Sequence, residues 1–192
     1  MDDVITGWRW ALKHLGEYLG PVERLSLGGA SAGASLSLST AKQLRDQHQP
    51  VPASLVLVYP VVHAELPPLV EELRSAVDNA PEGAVLLSSE QVRALTLNHV
   101  GDESLLNDGL AVPGEGNLAD LPPTLIINSQ HDTLRASGQK LAQQLASSRV
   151  LVVAETEPGT THGHLNTPEE PGAVRTIKRL ADWLSHVPES TC

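Results

Sequence analysis

Two unbroken apolar runs, Ser54-Leu55-Val56-Leu57-Val58-Tyr59-Pro60 and Thr124-Leu125-Ile126-Ile127-Asn128, constrain this chain more than any other feature. A strand with one wet face alternates apolar and polar residues. A strand without polar positions must be covered on both faces, as in a parallel sheet flanked by helices. Proline marks the ends, with Pro60 closing one run and Leu121-Pro122-Pro123 introducing the other. Arg24-Leu25-Ser26-Leu27-Gly28 and Val150-Leu151-Val152-Val153 read as two further strands of the same kind.

Helical periodicity lies between them. Residues 4–19 place Val4/Ile5, Trp8, Ala11/Leu12, Leu15 and Tyr18/Leu19 on one side, with Asp2 or Asp3 as N-cap and Gly20-Pro21 as the stop. Trp8 reads as core, with Trp10 on the opposite side. A helix to about Leu44 follows the Gly-rich turn, and another carries Leu134, Leu141 and Leu145. Val174, Ile177, Leu180/Ala181 and Leu184 mark a last amphipathic helix. Thr167-Pro168-Glu169-Glu170 is its expected capping box, with proline at the first helical position. Alternating strands and helices predict an α/β fold, a parallel sheet with helices on both faces. Residues 61–120 break the rhythm, being richer in Pro, Gly and acidic side chains, with one helix expected from Ser89 to Asn98. The expected organisation is a single domain over 1–192, with a core of about 1–60 and 121–188. The inserted cap, about 61–120, lies over the ligand-binding end of the sheet.

Bulk properties exclude several functions. A chain of 192 residues, 41% hydrophobic, can bury roughly 70% of its unfolded surface. Its net charge of −10, with scattered Lys and Arg, argues against a nucleic-acid partner. The single Cys192 allows no internal disulfide and no cysteine metal site. Neither a secretory signal nor an apolar stretch near ~20 residues is present, so a cytoplasmic protein without a membrane span is expected.

The chemistry centres on Gly29-Ala30-Ser31-Ala32-Gly33. A Gly-x-Ser-x-Gly match alone is weak, and its plain alternative is an unreactive turn. Here a buried strand precedes it and a periodic helix follows. That context throws the serine oxygen outward and aims the Ala32 N–H at a developing oxyanion. Ser31 is therefore the expected nucleophile. Its orienting acid and its base should follow in that order, each just past a later strand. Asp132, in Gln130-His131-Asp132-Thr133-Leu134-Arg135, fits the acid, although a helix N-cap would suit it too. His162, in Pro158-Gly159-Thr160-Thr161-His162-Gly163-His164, fits the base, with His164 as direct competitor and His131 a remoter one. A His162/His164 metal pair lacks a third ligand at a recognisable spacing, so neither metal nor cofactor is expected. His63, His99 and His186 read as ordinary loop or surface residues. Arg135 reads as a helix anchor through an ion pair.

These residues together resemble the hormone-sensitive-lipase-like branch of α/β hydrolases, the bacterial family IV esterases. The resemblance runs from Asp3 to about Leu184 and rests on Leu27–Gly33, Leu57-Val58-Tyr59-Pro60, Leu121–Ile126, Asp132–Arg135 and His162-Gly163. It implies a carboxylesterase acting on short acyl esters through an acyl-enzyme, with Ser31, Asp132 and His162 as its triad. The chain departs from the family at His164, where an aromatic residue is common, and at Ala34, where glycine is frequent. It also lacks the family's upstream His-Gly-Gly loop, which supplies two oxyanion donors. By that comparison the fold is expected to be N-terminally truncated by about a third. The strand at 24–28 would then present an open edge, from which self-association is expected. The competing expectation is a weakly active or inactive module that acts by binding or oligomerisation.

Overall fold

The computed structural model describes residues 2–20 and 24–187. Pro21 of the expected helix stop, the end of the expected core at 188, and Cys192 lie outside the described residues. Four strands, β1 (Leu27–Ala30), β2 (Leu55–Val58), β3 (Thr124–His131) and β4 (Val152–Thr161), form one parallel sheet in the order β1-β2-β3-β4. The helices are α1 (Asp2–Leu19), α2 (Ala32–Asp46), α3 (Glu71–Asp78), α4 (Ser89–Val100), α5 (Arg135–Ser147) and α6 (Pro171–Ser185). The α/β class and the helices on both faces are as expected.

Period-two alternation sorts the apolar runs onto the two faces. Leu55, Leu57 and Ile126 point into a cluster with Ala34 and Leu38 of α2 and Leu141 and Leu145 of α5. Val56, Val58, Leu125 and Ile127 point the other way, against Trp183 and Leu180 of α6. The register pairs Val56 with Leu125 and Leu57 with Ile126, so neighbouring strands contribute to the same layers. Each such side chain contributes about 1.5–3 kcal/mol by leaving water. Trp8 is buried and donates its indole N–H to the Pro50 carbonyl at 3.1 Å, docking α1, while Trp10 is exposed.

Several boundaries differ from the sequence reading. β1 begins at Leu27 rather than Arg24, and β4 begins at Val152 but runs on to Thr161, which carries the chain directly to His162. α1 begins at Asp2, so Asp3 lies in its first turn and does not cap it. α6 begins at Pro171 instead of Pro168. Glu170 must stay extended (φ −66°, ψ 142°) because the following proline ring excludes the helical region for it. No side chain caps that end, so the Thr167 capping box does not form. The buried side of α6 is Gly172, Ala173, Thr176 and Trp183, whereas Val174, Ile177 and Leu184 are exposed. Close approach decides this: a Cβ at Gly172 would stand 2.3 Å from Thr160 Cγ2.

Residues 61–120 hold two helices, α3 and α4, and a short 3₁₀ turn at Glu103–Asn107, rather than one helix. Ser88 caps α4 through a complete capping box with Gln91. The segment is tied to the core by polar side chains. Lys42 of α2 is buried and donates to the Pro113 and Glu115 carbonyls at 2.9 and 2.7 Å. Burial, with Arg45 beside it, lowers its pKa from 10.5 to about 8, which leaves the ammonium as the main form at neutral pH. Ser39 and Arg45, on the same side of α2, donate to the Leu110 and Ala119 carbonyls at 2.7 and 2.6 Å. Arg135 pairs with Glu72 of α3 through two contacts of 3.1 and 2.6 Å, the ion-pair anchor anticipated for it. Among the described residues, no helix is long and apolar enough to cross a membrane.

Candidate active site

The C-terminal ends of β1, β3 and β4 converge, and each delivers one chemically active side chain. Ser31 sits between β1 and α2 at φ 54° and ψ −119°, a conformation that costs a non-glycine residue on the order of 1–3 kcal/mol. Two things hold it there. Its N–H donates to the Val58 carbonyl at 2.9 Å, pinning the turn to β2. Gly29 also lets α2 close in, since a Cβ there would lie 2.3 Å from the Gly33 carbonyl carbon. No turn or loop hydrogen bond among the described residues uses the Ala32 N–H, the first of α2. That donor, at the positive end of the helix, is available to an anion beside Ser31.

Ser31 Oγ lies 3.0 Å from His162 Nε2, and His162 Nδ1 lies 2.8 Å from Asp132 Oδ2. Asp132 is 1% exposed and directly follows β3. Asp132 does not cap α5, whose N-cap position is Leu134 without a side-chain cap; its Oδ1 accepts the Leu134 N–H at 2.9 Å in the turn before the helix, while Oδ2 faces the imidazole. A carboxylate can only accept at His162 Nδ1, so the proton belongs there. The unprotonated Nε2 is then turned toward the serine hydroxyl. The arrangement can remove a proton from Ser31 and hold the resulting imidazolium beside a buried negative charge.

The competing histidines are occupied elsewhere. His164 is buried between hydroxyls, with Ser129 Oγ 3.0 Å from Nδ1 and Thr176 Oγ1 2.9 Å from Nε2. His131 donates from Nδ1 to the Ala76 carbonyl at 2.6 Å. His162 and His164 therefore do not share a ligand position, and no group of three potential metal ligands occurs among the described residues. His63, read as an ordinary loop or surface residue, does lie in a loop but is not at the surface. It is 1% exposed, with Nδ1 2.8 Å from Ser137 Oγ and Nε2 2.9 Å from Gln144 Oε1. Ser137 also accepts the Val62 N–H at 3.0 Å, so the tautomer with Nε2–H satisfies every partner. Burial lowers the His63 pKa.

One residue beside the site was given no role by the sequence. Tyr59, just past β2, has φ 37° and lies edge-on to both His162 and His164, with ring centroids 4.9 and 5.1 Å away. Its position before Pro60 in the run that closes β2 was the only available signal.

A cavity of about 380 Å³ opens at Ser31 and Ala32. Leu36 and Leu134 of the core line one part, and Val62, Val92 and Val112 of the inserted segment line another. Its apolar walls suit a hydrocarbon group whose reacting carbon rests near Ser31.

A family model described as alpha/beta hydrolase fold matches residues 1–166. The chain is 32% identical over 171 residues to a carboxylesterase, NlhH, of Mycobacterium tuberculosis, covering 86% of this chain and 51% of that protein. Among solved structures, carboxyl esterase 2 of the mycorrhizal fungus Tuber melanosporum superposes with a TM-score of 0.73 at 28% identity, over 90% of this chain and 57% of that one. An esterase of the bacterial hormone-sensitive lipase family superposes with a TM-score of 0.79 over 95% of this chain and 58% of that one. At 24% identity that last likeness is one of fold. The chain spans about half the length of the curated relatives it matches.

Proposed function

The chain belongs to the alpha/beta hydrolase fold family, and from that premise we propose that it hydrolyses short-chain carboxylic esters. The observation that carries the proposal is the unbroken contact chain from Asp132 through His162 to Ser31, ending on a serine held at φ 54°. In the proposed reaction Ser31 Oγ attacks the ester carbonyl while His162 Nε2 takes its proton. The tetrahedral oxyanion turns toward the Ala32 N–H. On collapse the C–O bond to the alcohol breaks, and His162 returns the proton to the leaving oxygen. Water then repeats the sequence on the acyl-enzyme, with His162 again as base, and releases the acid. Asp132 fixes the imidazole and offsets its transient charge. The activities of the relatives, carboxylesterase and esterase, support the substrate class.

The described residues offer the Ala32 N–H as oxyanion donor, and each further donor is typically worth ~10²–10³ in rate. Slow turnover of nitrophenyl esters by these 192 residues is therefore the expected behaviour. Release of nitrophenol from the acetate and butyrate esters tests the proposal, with Ser31→Ala as control. Equal rates for the two proteins would overturn it and leave a binding module.

The proposed organisation remains one domain, with residues 61–120 as an insertion that roofs the cavity. We also propose that β1 mediates self-association between copies. Among the described residues it pairs with β2 alone, Gly28 is exposed, and the exposed Leu184 lines the adjoining groove. Light scattering tests this: a monodisperse monomer at micromolar concentration contradicts it.

A further inference from the structure

The three side chains of the site come from separate strands, so something must hold their relative positions while His162 gains and loses a proton. The end of β2 touches all three elements. Val58 accepts the Ser31 N–H at 2.9 Å, and the next residue, Tyr59, packs on the histidine loop. Tyr59 is itself held by its N–H, which donates to the Ile127 carbonyl of β3 at 2.6 Å. Its positive φ of 37° is unusual for a large aromatic residue and persists only where its surroundings impose it.

The loop after β4 is wound around this ring. His162 meets it edge-on at 4.9 Å, with planes at 64°. His164 meets it edge-on at 5.1 Å, with planes at 73°. Leu165 packs against the apolar cluster that contains this ring. His164 is in turn fixed from behind, because Ser129 of β3 and Thr176 of α6 take its two ring nitrogens at 3.0 and 2.9 Å. Edge-to-face contacts of this kind have a preferred geometry, so they define a direction as well as a distance.

We infer that Tyr59 and His164 are a positioning pair for His162: Tyr59 sets the imidazole relative to Ser31, and His164 holds Tyr59 against it. This rests on the proposed base role of His162. The pair registers the histidine loop to the same strand end that fixes the serine turn, so nucleophile and base share one reference. His164 must serve as a passive wall, without adding positive charge where the imidazolium forms. Its burial lowers its pKa, with His162 acting in the same direction and Glu157, Asp132 and the Thr161 backbone opposing. Burial thus favours its uncharged form.

The test combines kinetics with a readout that needs no turnover. Tyr59→Phe keeps the ring, Tyr59→Leu removes it, His164→Phe restores an aromatic wall, and His164→Ala leaves a gap. The proton on His162 Nδ1, bonded to Asp132, gives a downfield NMR resonance whose position reports that contact. The wild type and both phenylalanine variants should keep the resonance, with kcat within about threefold. Tyr59→Leu and His164→Ala should shift or broaden it and lower kcat about 10- to 100-fold with KM nearly unchanged, the scale of a displaced reacting group. Thermal melts select variants that remain folded at the assay temperature. If folded Tyr59→Leu and His164→Ala both keep the wild-type resonance, the inference is overturned. The same holds if His164→Phe loses as much kcat as His164→Ala. If the wild type shows the resonance but Ser31→Ala hydrolyses equally well, the ester proposal fails while the positioning claim stands.

Discussion

The strand ends and the inserted segment over them are held by different balances of apolar packing and polar contact. At the strand ends, Ser31, Asp132 and His162 stand on a sheet whose residues Leu55, Leu57, Leu125 and Ile126 are wholly buried, so apolar packing fixes the frame. The inserted segment, 61–120, seats Val62 and Leu118 in that apolar core and is tied down besides by side-chain donors reaching backbone carbonyls. Lys42, Ser39 and Arg45 hold its return loop, and Arg135 holds α3. The contrast separates two functions. The proposed chemistry depends on the packed frame, whereas the shape of the cavity depends on polar clamps that can change without moving the serine.

The sharpest way to break the contrast is at the strand ends. Ser31→Ala is expected to lower kcat by up to about 10⁶-fold with the fold intact, measured on nitrophenyl butyrate. Asp132→Asn should cost about 10⁴-fold, because an amide there stabilises the wrong imidazole tautomer. That variant also keeps a carbonyl oxygen for the Leu134 N–H, so its melting temperature should fall little. Leu57→Ala, beneath the site, is expected to cost 2–5 kcal/mol of stability (about the range for a buried leucine) in urea unfolding.

In the inserted segment the effects should be smaller and of a different kind. Lys42→Met strands the Pro113 and Glu115 carbonyls, which should cost about 1–3 kcal/mol and loosen the wall at Val112. KM for butyrate should rise severalfold while kcat on acetate is retained. A matching loss of kcat on acetate would show that clamps and chemistry are not separable. The smallest effect concerns pH. His63 has a folded pKa below its ordinary 6.5, so the folded state resists protonation more than the unfolded state does. Its stabilising contribution is complete above pH 6.5 and is lost as pH falls from there through the folded value. His164 acts in the same sense. The melting temperature of wild type should therefore drop more steeply between pH 6.5 and 5 than that of His63→Gln.

Much of this frame was legible because its signals are local. The apolar runs at 54–60 and 124–128 mark strands without reference to anything distant. Ser31, Asp132 and His162 stand out because each follows a strand in a fixed order. Several of the misreadings share one cause, dependence on partners far away in sequence. His63 is buried because Ser137 and Gln144 satisfy it, and neither pairing leaves a trace in its own neighbourhood. On α6 the spacing of Val174, Ile177 and Leu184 suggests a core stripe. The helix instead lies closest at Gly172 and Ala173, where small size matters more than hydrophobicity. Helix α3 was missed because its eight residues, Glu-Glu-Leu-Arg-Ser-Ala-Val-Asp, bury only Leu73 and Ala76. Tyr59 carried no chemical signal until its strain and its two histidine neighbours were seen together.

The central claim is that Ser31 is a nucleophile activated by His162. A fluorophosphonate ester, which reacts only with an activated serine, tests it directly, because labelling needs no efficient turnover. Peptide mapping by mass spectrometry should place the adduct on Ser31. Ser31→Ala should abolish labelling, and His162→Ala should slow it at least about 10³-fold. An adduct on another serine, or labelling of Ser31 at an unchanged rate in His162→Ala, would contradict the account.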